Sequence, residues 1–169
     1  AVLPSGTTSV VADPHEICNV AGLKAMAYML KSAENAVLNI NYMFPSCVPA
    51  TFFEHSGAVL EAKDVETVID NPKVLGLGEM MNYPGVVSAS PSILDKLETC
   101  WKRGKVIDGH IPSISGQGLD AYLSTGILTD HECETPEELI EKTGKGMYVL
   151  LRQGTVCKNV LQLLPGVND

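Results

Sequence analysis

Three of the four histidines in this 169-residue chain, His15, His110 and His131, stand beside carboxylates in short polar runs. The runs are Asp13-Pro14-His15-Glu16, Asp108-Gly109-His110 and Asp130-His131-Glu132. Glu79 closes a further apolar segment, and Arg152 follows another. Imidazole nitrogens and carboxylate oxygens are ligands that zinc, iron and manganese accept, and the same groups can carry protons. A lone loop histidine is more often a surface group satisfied by hydrogen bonds. Three histidines and a glutamate at equivalent places in a repeating pattern set a metal centre against that plainer reading.

The elements that must position these residues follow a strand, turn, helix rhythm. Residues 7–12 are rich in β-branched side chains and run into Asp13, which suits a buried strand. A helix is predicted over 20–33, then a strand over 37–44 that Pro45-Ser46-Cys47-Val48-Pro49 halts. A short helix over 63–70 stops at Asn71-Pro72, and a strand over 74–77 delivers Gly78-Glu79-Met80. Ser90 and Pro91 open a helix over 91–102, and a strand over 105–107 leads to Asp108-Gly109-His110. A helix over 118–125 ends at Gly126, and a strand over 127–129 brings Asp130-His131-Glu132. Thr135-Pro136-Glu137-Glu138 starts another helix, residues 147–151 form the last strand before Arg152, and a helix closes the chain over 158–164.

About six βα units in succession, with no hairpin signal, predict an α/β fold of parallel strands joined by helices. In such folds the ligand site lies outside the carboxyl ends of the strands, which is where the polar runs fall. No linker or composition break divides the chain, so residues 1–169 read as one segment.

Composition removes several function classes. Twelve Lys and Arg against 20 Asp and Glu give a net charge of −8, so no nucleic acid or anionic membrane is expected as partner. No apolar run approaches the roughly 18 residues of a membrane span, and no secretory leader is visible. The five cysteines are widely spaced with no C-x-x-C pair, so free thiols in a reducing cytoplasm are expected rather than a zinc knot or disulfides. Gly76-x-Gly78 lacks the third glycine of a dinucleotide site and reads as tight strand packing. Ser46 and Ser115 lack a nucleophile-elbow context. His55 reads as a turn or pocket residue, and Met26, Met29, Met80 and Met81 as core fillers.

Longer segments carry a resemblance. Gly6-Thr7-Thr8, Val11 to Glu16 with Asn19-Val20-Ala21-Gly22, and Pro45 to Thr51 with Glu54 and Ser56-Gly57-Ala58 resemble the adenine deaminase family of the amidohydrolase superfamily. So do Gly76 to Val86, Asp108-Gly109-His110, Ser124-x-Gly126-Ile127-x-x-Asp130-His131-Glu132-Cys133 and Gly146-Met147. The resemblance covers essentially the whole chain. It implies a (β/α) barrel of the TIM type and hydrolysis of adenine to hypoxanthine and ammonia in purine salvage. It also implies a binuclear centre of manganese, iron or zinc, with Glu79 bridging the metals and His110 and His131 as ligands. Asp13, His15 and Glu16 would lie in the same mouth, in substrate binding or proton transfer. Ser46 and Glu54 belong to matched segments near the pocket, without an assigned role. The reaction needs an activated water and an acid for the leaving amine, which carboxylates and histidines beside a cation can serve. The H-x-E and P-C-x-x-C zinc deaminase pattern is absent.

The chain also departs from the family. It holds no H-x-H pair, which the family places at the first barrel strand, and it ends before the aspartate of the eighth. A complete barrel takes about 250 residues, so the expectation is an incomplete barrel, about six of eight βα units, with only part of the active site. Such an open sheet exposes edges that favour homo-oligomers. The alternatives are a non-catalytic chain, or a metal-dependent amidohydrolase acting on another cyclic amide or amine.

Overall fold

A computed structural model describes residues 2–167. The β-branched segments form six strands: β1 (Ser9–Ala12), β2 (Asn39–Phe44), β3 (Val74–Met80), β4 (Val106–Gly109), β5 (Thr129–Asp130) and β6 (Tyr148–Val149). Between and after them lie α1 (His15–Ala33), α2 (Ala62–Val68), α3 (Tyr83–Val87), α4 (Pro91–Trp101), α5 (Gly116–Ser124), α6 (Pro136–Gly144) and α7 (Val160–Leu163). Every strand pairing is parallel, as the helical crossovers require. Ser9 pairs with Asn39, Tyr42 with Val74, Gly76 with Val106, and Thr129 with Tyr148. The fold is therefore a partial (β/α) barrel, with all six strands delivering their carboxyl ends to one rim.

The core lies between strands and helices. Phe44, Leu77 and Met80 from the sheet and Met26, Val65, Ile69, Leu97, Leu119 and Tyr122 from the helices are almost wholly buried. Each such Leu or Met contributes roughly 1.5–3 kcal/mol by leaving water. Met29 and Met81 pack on the edge of the same core. Cys18, Cys47, Cys100 and Cys133 are buried free thiols, and Cys157 is half-buried and free. A smaller cluster of Cys133, Leu139 and Leu163 lies under α6 and α7.

Five features differ from the sequence expectation. The helix expected from residue 20 starts at His15, because Pro14 turns the chain and its carbonyl already accepts from Cys18 N–H at 3.0 Å. That helix is broken at Gly22, whose φ of 57° and ψ of −136° only glycine adopts readily. The short α3 was not expected; Asn82 caps it by accepting from Gly85 N–H at 3.0 Å, and Pro84 sits in its first turn. The strand expected at 127–129 is displaced to Thr129–Asp130.

The fifth difference is an interruption of the sheet. The ladder runs β1-β2-β3-β4, and β5 pairs with β6 in a separate sheet. Among the described residues no ladder joins β4 to β5. Gly109 N–H, at the end of β4, donates instead to the Thr129 hydroxyl at 2.8 Å and to its own neighbour Asp108 at 3.0 Å. Side chains thus close the seam where backbone pairing would otherwise run.

Candidate metal centre

Parallel strands bring the polar runs together at the rim. Glu79 is the penultimate residue of β3, His110 follows β4 directly, and His131 follows β5 directly. Glu79 Oε2 lies 3.1 Å from His110 Nδ1 and 3.0 Å from His131 Nε2. The two imidazoles stand edge to face with centroids 5.3 Å apart. On the other side, Glu79 Oε1 lies 3.6 Å from His15 Nδ1, which is 3.5 Å from Asp13 Oδ1. Glu79, His110 and His131 each offer a ligand atom within 4.8 Å of the others, and so do Asp13, His15 and Glu79. Glu79 belongs to both groups and turns a different oxygen to each.

Two local arrangements fix the Glu79 peptide. Its N–H donates to Asp13 Oδ2 at 3.0 Å, and its carbonyl accepts from the Ser46 hydroxyl. Asp13 must reach across from the end of β1, and Gly78 leaves it the room: a Cβ there would overlap the Asp13 carboxylate. Gly76 likewise admits the backbone of Val106, which is the strand packing expected of the Gly76-x-Gly78 pair, whereas Gly78 makes room for a side chain.

The electrostatics follow from these contacts. Hydrogen bonds from His110 and His131 hold the Glu79 carboxyl well below the usual carboxylate range. The bond to Glu79, against burial, raises His131. Burial, reinforced by the Glu79 charge, pushes the Asp13 carboxyl up to about 6 although His15 opposes it. Asp13 Oδ1 and His15 Nδ1 are buried without a hydrogen-bond partner, and such atoms are costly unless something satisfies them. Paired carboxylate and imidazole donors with unsatisfied buried atoms fit a divalent cation by donor chemistry.

The remaining candidates separate. Glu16 reaches only His15 Nε2, at 3.4 Å, and its side chain is 81% exposed, so it stands at the rim outside both donor groups. Ser46 is buried and acts on the Glu79 peptide. Glu54 accepts from the Thr51 hydroxyl and lines a cavity of about 930 Å³ beside the loop after β2, with Phe52, Phe53 and Lys96, whose lining includes no member of the two donor groups. His55 is exposed, as a turn residue would be. Arg152 pairs with Glu132, whose Oε1 lies 3.5 Å from His131 Nε2. Lys142 and Tyr122, both buried against this region, were not singled out in the sequence; a lysine and a tyrosine inside amphipathic helices give no sign of where they end.

An incomplete parallel barrel with imidazoles and a shared carboxylate at its carboxyl rim is the architecture of an α/β barrel segment with a candidate cation site. The sequence profile of the Amidohydrolase family matches residues 1–162, and the chain belongs to that family. It is 52% identical over 166 residues to "Adenine deaminase 2" of Desulfotalea psychrophila, covering 98% of this chain and 29% of that protein. It is 50% identical over 168 residues to "Adenine deaminase" of Clostridium acetobutylicum, covering 99% and 30%. With "Adenine deaminase" of Bacillus licheniformis it shares 48% identity over 169 residues, covering 100% and 30%. The chain thus spans about 30% of the length of these relatives.

Proposed function

We propose that this chain is the metal-binding core of an enzyme that hydrolyses adenine to hypoxanthine and ammonia, in purine salvage, and that it holds part of that active site. The observation that carries the reading is identity of 48–52% to proteins named adenine deaminase across 98–100% of the chain that bears the Glu79 cluster. Glu79 Oε2, His110 Nδ1 and His131 Nε2 would hold one divalent cation. A second cation would be held on the Asp13 and His15 side of Glu79, which would make the centre binuclear; manganese, iron and zinc all suit carboxylate and imidazole donors. A bound cation supplies Lewis acidity, making water a usable nucleophile near neutral pH.

The chain's own residues do the rest. Asp13 is held against the Glu79 N–H by Oδ2, which leaves Oδ1 free to take or give a proton. His15 Nδ1, 3.5 Å from that oxygen, extends the proton path, and Glu16 joins it at His15 Nε2. Loss of ammonia requires such an acid at the leaving amine. Five free thiols suit a reducing cytoplasm. Among the described residues no further strand pairs with the outer edges of β1 and β6, which supports homo-oligomers of the isolated chain.

The test is adenine-dependent ammonia release with added Mn²⁺, Fe²⁺ or Zn²⁺, on this chain and on the chain extended at both ends to its relatives' length. The extended form should turn over and the short one should not. Glu79→Ala should lower turnover at least about a thousandfold, the equivalent of several kcal/mol of metal assistance. No ammonia from a fully metal-loaded extended form would sink adenine as substrate.

A further inference from the structure

Two residues without a part in that chemistry lie wholly inside the protein, between the histidine-bearing strands. Asp130, the last residue of β5, and Lys142 of α6 are both 0% exposed and pair at 2.8 Å. An ion pair this deep is costly to desolvate, and apolar residues of similar volume often serve stability as well. Its connections indicate a different use. Lys142 Nζ also donates to the Ile111 carbonyl at 2.7 Å, and Asp130 Oδ1 accepts from Ile111 N–H at 2.9 Å. Ile111 directly follows His110, and Asp130 directly precedes His131. Both backbone groups of the residue next to one histidine are therefore held by a pair that abuts the other. These bonds cross the seam where no ladder joins β4 to β5 among the described residues.

We infer that Asp130 and Lys142 are positioning residues that set the spacing of the His110 and His131 imidazoles, and through it the affinity for a divalent cation. The affinity part rests on the reading of Glu79, His110 and His131 as metal ligands. Both rings address the same Glu79 oxygen, at 3.1 and 3.0 Å, so a small slip of β5 against β4 takes one of them out of reach. Metal sites tolerate only about 0.5 Å of such misplacement. Residues that merely filled the core would change stability and leave the ring spacing alone.

The double substitution Asp130→Asn with Lys142→Met removes both charges together, so no buried charge is left unpaired and the fold is kept. Three quantities are compared with the native protein, both as this chain and extended to its relatives' length. They are metal-free unfolding temperature, Co²⁺ affinity from visible absorption, and the nuclear Overhauser contact between the two imidazoles without metal. The folded variant should bind Co²⁺ about 10- to 100-fold more weakly and lose the contact between rings. Native Co²⁺ affinity with native ring contact, in a folded variant, would overturn the inference. If the native protein takes up no Co²⁺ at either length, the ligand reading fails; the ring contact then decides alone, its loss supporting the positioning role and its persistence overturning it. Should the double variant not fold, Lys142→Met alone, which removes the donor to the Ile111 carbonyl, is measured in the same way, with the same outcomes deciding.

Discussion

The junction between β3 and β4 and the junction between β4 and β5 each carry a histidine to Glu79, but by different means. Glu79 and His110 sit on strands joined by a parallel ladder, with Gly76 opposite Val106 and Met80 opposite Gly109. His131 arrives across a gap bridged by Thr129, Asp130 and Lys142 side chains. A ladder is made of backbone and tolerates most residue types. A side-chain closure depends on which residues are present. The second junction should therefore be far more sensitive to substitution, although both bring an imidazole nitrogen about equally close to Glu79.

That contrast can be broken most forcefully at Lys142. Lys142→Met alone leaves Asp130 buried without its cation and should destabilise by about 3–5 kcal/mol, read as a lower urea midpoint. The double variant described above should recover most of that loss, and an equal loss in both would mean that charge imbalance is not the cause. Thr129→Val keeps the shape but removes the hydroxyl that accepts from Gly109 and donates to Asp108. It should cost about 1–2 kcal/mol, and a neutral result would show that water replaces the bond. On the ladder side, Val106→Thr changes an exposed residue of β4 and should stay within about 0.5 kcal/mol. A larger effect there would erase the distinction between the junctions.

The strand rhythm is legible because most strand segments are apolar or β-branched and run into Pro or charged residues, as at Ala12-Asp13-Pro14 and Phe44-Pro45. The rim followed from it, since parallel strands put residues after their carboxyl ends side by side; Asp13, Glu79, His110 and His131 were found that way. What escaped depends on distant partners. Lys142 reads as a solvent-facing lysine until Asp130 is known to lie beside it. The break between β4 and β5 has no local signal, because Thr129 is as good a strand residue as any in a ladder. The start of α1 at His15 was hidden by an Asp-Pro pair that looks like a turn and is also a helix entry. Glu16 stands at the outer end of the Asp13-His15 run, on His15 Nε2, because the first turn of α1 faces its side chain to solvent.

Gly78 has no chemistry of its own, but the Asp13 carboxylate occupies the space its side chain would fill. Any larger residue at 78 evicts that carboxylate from the Glu79 peptide, and once Asp13 is lost, a larger residue at 78 does little further harm. The two positions, 65 places apart in the chain, are thus coupled through one volume of space: their substitutions should combine non-additively, the second costing less than it would alone.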